Sequence, residues 1–148
     1  MTWKALRSVD YIVIHCAATT ASQDIGAAEI TTWHRQKGWL DIGYHYVIRR
    51  DGTVEKGRQD GVPGAHARGF NHLSLGVCLA GGVAADGKTA EDNFTPAQYA
   101  ALGQLVEGLI AQYPDAEVLG HRDLPKVNKA CPSFEVKEWW AKYLAEKN

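Results

Sequence analysis

A short β-branched run, Tyr11-Ile12-Val13-Ile14-His15, does most to constrain what this chain can fold into. It has no polar alternation, so it reads as a buried strand that ends at a histidine. A buried strand needs covering layers, and the rest of the sequence supplies helices at intervals. Ile30, Trp33, His34 and Lys37 recur at helical spacing and Gly38 is a stop signal, which predicts a helix over roughly Ala27 to Lys37. Tyr44 to Arg50, Asp51-Gly52 and Thr53 to Lys56 read as a β-hairpin whose turn takes its positive φ angles from Asp-Gly. Leu73 to Leu79 is a further apolar strand, and Val83 to Asn93 has the small, polar composition of a surface loop.

Thr95-Pro96-Ala97-Gln98 combines an N-cap, a proline at the first helical position and a capping-box glutamine. The apolar stripe Tyr99, Leu102, Val106, Leu109, Ile110 and Tyr113 continues it as one helix. Glu117 to Leu119 reads as a short strand delivering Gly120-His121. Ser133 reads as the cap of a last helix carrying Trp139, Trp140, Tyr143 and Leu144. Strands interleaved with helices predict an α/β fold, a mixed β-sheet flanked by helices. With no repeat, low-complexity tract or linker, residues 1–148 are expected to form a single domain.

Sixteen basic residues against seventeen acidic ones leave a net charge of -1. Without an excess of positive charge, neither nucleic acid nor an anionic membrane is expected as a partner. Met1 to Asp10 alternates charged and apolar residues, so no secretion signal is expected, and no later segment approaches a transmembrane length. Cys16, Cys78 and Cys131 are odd in number and far apart, a poor disulfide framework that suits a reducing cytosol. A cytoplasmic, monomeric protein is the expectation.

His15 ends the first strand, His121 follows a second one, and Cys131 lies ten positions further on, in a loop before the last helix. Residues so placed can meet at one edge of a sheet. Two neutral imidazoles and a thiolate would leave a zinc ion with a fourth tetrahedral position open, the pattern of a catalytic site. On spacing alone the plainer alternative has the advantage: a strand-end histidine held by hydrogen bonds and a cysteine filling the core. Strand alternation puts Tyr44 and Tyr46 on one side of the hairpin and His45 on the other. His45 therefore reads as a packing or structural hydrogen-bonding residue, while His34 on its helix reads as structural or surface and His72 as structural. His66 reads equally well as a groove residue, and Cys16 and Cys78 as small buried hydrophobes.

The segment Gly64-Ala65-His66-Ala67-Arg68-Gly69-Phe70-Asn71-His72-Leu73-Ser74-Leu75-Gly76-Val77 resembles the signature of type-2 N-acetylmuramoyl-L-alanine amidases and peptidoglycan recognition proteins. Gly43-Tyr44-His45-Tyr46 with Arg50-Asp51-Gly52-Thr53-Val54 resembles the hairpin of that family. Val13-Ile14-His15-Cys16-Ala17-Ala18-Thr19 and Lys129-Ala130-Cys131-Pro132-Ser133-Phe134 resemble its two ligand segments. The likeness runs from about Asp10 to Trp140, with the segments in the family's order, and is strongest to the phage endolysins.

What the resemblance implies is specific. His15, His121 and Cys131 would hold one Zn2+ per chain, and Tyr44 and Lys129 would assist catalysis; the place of His66 in the signature segment is compatible equally with lining the substrate groove and with a structural role. The reaction would be hydrolysis of the amide between N-acetylmuramic acid and L-alanine in peptidoglycan, in a phage or prophage endolysin. No His-Glu-x-x-His supplies a glutamate base, so the proton acceptor is left open between Tyr44, another histidine and solvent. No carboxylate pair of the kind a glycosidase needs stands out. The stretch Arg122 to Lys129 is longer and more basic than in the phage members, with Lys126 an extra lysine, so the role of Lys129 rests on its distance from Cys131. One phage member also inhibits its phage's RNA polymerase, and nothing in this sequence transfers that partner. Two competing roles are a cytosolic amidase recycling wall fragments and a peptidoglycan-binding module without activity.

Overall fold

The computed structural model describes residues 8–147. The reading of Met1 to Asp10 as no secretion signal falls mostly outside that range.

The expected buried strand is β1 (Tyr11–Cys16), an interior strand of a five-stranded sheet, paired on both sides. Around it are β2 (Tyr46–Ile48), β3 (Val54–Lys56), β4 (Ser74–Leu79) and β5 (Glu117–Gly120), in the order β3-β2-β4-β1-β5. β1 runs parallel to both β4 and β5, and β2 parallel to β4, while β3 turns back antiparallel on β2. The sheet is mixed, as the interleaved pattern predicts. Its parallel part explains the unbroken apolar runs, because parallel strands are covered on both faces. Ile12, Val13 and Ile14 have no exposed surface at all. Burying each contributes about 1.5–3 kcal/mol.

The helices are α1 (Ala27–Gln36), α2 (Pro96–Gln112) and α3 (Val136–Lys147). Alternation along the strands sorts the two faces. Ile12, Ile14, Ile48, Leu75, Val77, Leu79 and Val118 share a core with Leu102, Val106 and Leu109 of α2 and Val136 of α3. On the other face, Val47 and Cys78 pack with Ile30 of α1, and Val13 and Leu119 pack with Ala67 and Leu124. The first face is a helical core. The second carries His15 and is covered partly by loops.

The capping box of α2 forms as expected, with the Thr95 hydroxyl accepting from the Gln98 N–H and the Gln98 side chain accepting from the Thr95 N–H. Gln98 does more than cap. Its side-chain amide, fully buried, donates to the carbonyls of Ile48 and Ala80, and its oxygen also accepts from Arg50. One glutamine thus joins the ends of β2, β4 and α2.

Three local expectations are corrected. Ser133 does not cap α3, which begins at Val136; its hydroxyl instead donates to the Gly82 carbonyl, and the Glu135 carbonyl accepts the first helical bond, from Trp139. The hairpin turn has positive φ only at Gly52, at +89°, because the tight turn closes one residue early, with Gly52 N–H donating to the Arg49 carbonyl. His72 is solvent-exposed in a 3₁₀ turn over Asn71–Leu73. Among the described residues no helix is long and apolar enough to cross a membrane.

Candidate metal centre

Ile14 on β1 stands opposite Gly120 on β5 in a parallel register. Parallel strands end at the same edge, so the residues that follow, His15 and His121, emerge side by side. Their ring centroids are 4.5 Å apart. The third member arrives from the loop after β5. The Arg122 N–H donates to the Cys131 carbonyl at 2.9 Å, and the Cys16 N–H donates to the Cys131 sulfur at 3.2 Å. The close approach of this loop to β5 is possible because residue 120 is glycine; a Cβ there would lie 2.9 Å from Pro132. The ligand atoms of His15, His121 and Cys131 all lie within 4.8 Å of one another, the one such cluster among the described residues.

The electrostatics favour neutral imidazoles. Burial, followed by the nearby His66, His121 and Lys129, holds His15 well below the usual histidine range. His121 is lowered by its own burial and then by Lys129. The Cys16 and Cys131 thiols share a hydrogen bond that lowers Cys16 to about 7 and, together with burial, raises Cys131, so the pair as it stands keeps its proton on Cys131. The Cys16 backbone N–H aimed at the Cys131 sulfur acts in the opposite sense, toward a thiolate there.

Tyr44 lies beside His15, with centroids 5.0 Å apart and the rings tilted at 54°, and packs with the cluster that includes Ile30 and Cys78. Its phenol is raised well above the ordinary tyrosine range, first by burial and then by the three cysteines. His45 is on this same side, against expectation. Its ring lies 5.8 Å from that of His66, whereas Tyr46 packs into the helical core. β2 begins only at Tyr46, and the backbone bends at Gly43 and His45, so strand alternation does not extend back to Tyr44. Both nitrogens of His45 are engaged: Nδ1 accepts from the Gly76 N–H and Nε2 donates to the Val62 carbonyl. His34 is likewise committed, its Nδ1 accepting from the Gly43 N–H.

Beside the cluster opens a groove of about 490 Å³, lined by Trp39, His66, Arg68, Asn71, His121, Lys126 and Lys129 among others. No carboxylate lines it. Lys126 and Lys129 are both exposed, and it is the charge of Lys129 that reaches His15 and His121. Sequence reasoning passed over Trp39, an exposed aromatic that lines this groove just after the Gly38 stop of α1. It also passed over Asn71 and Ser74, which carry no signal until their partners are known.

Residues 5–134 match the family described as N-acetylmuramoyl-L-alanine amidase. The chain belongs to that family. The endolysin of Escherichia phage T7 is 49% identical over 140 residues, covering 95% of this chain and 91% of that protein. Among solved structures, the N-acetylmuramoyl-L-alanine amidase LysC from Clostridium intestinale is similar with a TM-score of 0.76 at 27% identity, over 96% of this chain and 93% of that one. Bumblebee PGRP-SA, a peptidoglycan recognition protein, is similar with a TM-score of 0.73 at 25% identity, over 97% and 87% of the two chains. The likeness read from the signature segment therefore holds toward both branches.

In this member of the amidase family the signature segment is folded around one ring. The Asn71 side-chain oxygen accepts from the N–H groups of His66 and Ala67, both at 3.0 Å. The His66 ring lies directly over Gly76, where a Cβ would meet it at 2.6 Å.

Proposed function

We propose that this chain is a zinc-dependent amidase that hydrolyses the bond between N-acetylmuramic acid and L-alanine in peptidoglycan, as a phage or prophage endolysin. The observation that carries the reading is the convergence of two imidazoles and one thiol in a chain of the amidase family. The donor set fits zinc: both imidazoles are neutral and offer lone pairs, and the sulfur has a backbone N–H to support its charge. One Zn2+ per chain would be held by His15, His121 and Cys131, with a fourth position left for substrate or water. When bound, zinc supplies an activated water nucleophile and polarises the scissile carbonyl.

The chain's own groups do the rest. Lys129, exposed on the groove wall, offers a cation to the oxygen that gains charge as the amide carbon becomes tetrahedral. Tyr44 keeps its proton at neutral pH and so acts as a hydrogen-bond donor that orients the reacting groups, not as the base. His66 forms part of the wall against which the substrate lies. The absence of lining carboxylates and the presence of Arg68, Lys126 and Lys129 suit a peptide stem that carries carboxylates. The endolysin of phage T7 and the recognition proteins support peptidoglycan as the target.

The test is digestion of purified peptidoglycan. New L-alanine amino termini with uncut glycan strands are expected. New reducing sugar ends without new amino termini would overturn the amidase reading, and cleavage at the peptide cross-bridges would replace the substrate.

A further inference from the structure

His66 is nine-tenths buried at the foot of the groove, and both of its ring nitrogens are spoken for within the protein. Nδ1 lies 2.9 Å from Nε2 of His15, and Nε2 lies 3.2 Å from the Ser74 hydroxyl. That hydroxyl has a second and shorter contact, 2.7 Å to the Phe70 carbonyl.

The protons along this chain can be assigned one after another. A backbone carbonyl only accepts, so the single Ser74 proton goes to Phe70. The Ser74 oxygen is then an acceptor, and Nε2 of His66 must carry the proton it receives. A neutral imidazole has one N–H, so Nδ1 of His66 is a lone pair. The proton between the two histidines therefore belongs to Nε2 of His15. This leaves Nδ1 of His15 as the lone pair, and it is Nδ1 that faces the Cys131 sulfur, 4.0 Å away.

We propose that His66 is a positioning residue that fixes His15 in its Nε2–H tautomer, so that Nδ1 is presented toward Cys131 and His121. The proposal rests on the metal reading above for its purpose, not for its geometry. A ligand histidine ordinarily gives its other N–H to a carboxylate, a carbonyl or water, groups that can only accept or can turn to do so. Here the partner is a second imidazole, which can present either a donor or an acceptor. Its own tautomer has to be fixed in turn, and Ser74 with the Phe70 carbonyl does this. The rest of the signature segment holds the ring in place. Asn71 ties the backbone on either side of it, and Gly64 and Gly76 leave the room it occupies, since a Cβ at either would come within 2.7 Å of the ring. The segment's pattern of glycines, asparagine and serine thus becomes a device for orienting one nitrogen of a residue 51 positions away.

The experiment uses the full chain labelled with 15N-histidine, with ring nitrogens read by long-range 1H–15N correlation before and after loading with zinc. In metal-free wild type, His15 should show a protonated Nε2 and a bare Nδ1. Ser74→Ala should turn His15 into a mixture of tautomers while the protein stays folded, and should weaken zinc binding about 10- to 100-fold. His66→Phe should do the same. His66→Asn, whose side-chain oxygen can accept near the position of Nδ1, should restore the wild-type tautomer. An Nδ1–H tautomer in the wild type, or an unchanged His15 signal in both Ser74→Ala and His66→Phe, would overturn the proposal. If the wild type shows the expected tautomer but takes up no zinc, the relay stands and the metal reading falls.

Discussion

Gln98 and Ala80 are joined by a 2.8 Å hydrogen bond from a fully buried side-chain amide to a strand-end carbonyl. The same amide also reaches Ile48, so the glutamine closes the ends of two neighbouring strands at once. Gln98→Ala would remove the three hydrogen bonds to Ile48, Ala80 and Arg50, although the Ile48 carbonyl keeps the Ala80 N–H and the Ala80 carbonyl keeps Arg50. A net hydrogen bond contributes about 0.5–1.5 kcal/mol, so a loss of about 2 kcal/mol or more is expected by urea unfolding. A change under about 0.5 kcal/mol would show that water replaces the amide there.

Replacing His15, His121 or Cys131 by alanine should remove most bound zinc and most activity, because two remaining donors do not make a tetrahedral site. Activity of the wild type should stop with phenanthroline and return with added zinc. Full zinc occupancy in Cys131→Ala, measured by elemental analysis, would sink the ligand assignment.

Tyr44→Phe and Lys129→Ala should leave zinc bound and slow hydrolysis on the order of a hundredfold or more, the usual loss for one oxyanion donor. Lys126→Ala is the control, since only the Lys129 charge is felt at His15 and His121. A severe defect in Lys126→Ala beside a near-normal Lys129→Ala would exchange the two roles.

Acid should destabilise the metal-free protein in a window set by its histidines. Burial lowers His45 below the usual range and pushes His66 down to about 3. An unfolded histidine titrates at about 6.5, so below that pH the unfolded chain binds protons that the folded chain refuses. Stability is therefore complete above about pH 6.5 and falls as the pH drops through and below it. The lowered carboxylates, Asp51, Asp86 and Glu107, contribute only at lower pH, as they protonate. Urea midpoints measured from about pH 7.5 to 5 should fall steadily; a flat profile would mean these rings are solvated.

Much of this fold is legible because its signals are local. Ile12-Val13-Ile14 announces a buried strand, and Thr95, Pro96 and Gln98 announce a helix start. Each depends only on neighbours in sequence, and the structure agrees. The placement of His15 near His121 is half legible. A histidine after each of two short strands hints at it, but only the parallel register of Ile14 with Gly120 brings the rings together. Tyr44 and His45 defeat alternation because the backbone bends before β2 begins. Ser133 has the composition of a cap and spends its hydroxyl on Gly82 instead. His66, Asn71 and Ser74 act through atoms far apart in the chain, and no spacing rule could find them.

The interior place of β1, between β4 and β5, has a consequence for how the protein is made. Its hydrogen-bonding partners come from Ser74–Leu79 and Glu117–Gly120, and Cys131 lies 116 positions after His15. During synthesis His15 therefore exists more than a hundred residues before either His121 or Cys131. Long-range pairing of this kind also delays folding. A chain cut before His121 would keep the signature segment and His15 but lose two of the three members of the cluster, so under the proposed zinc reading it would be expected to bind no metal.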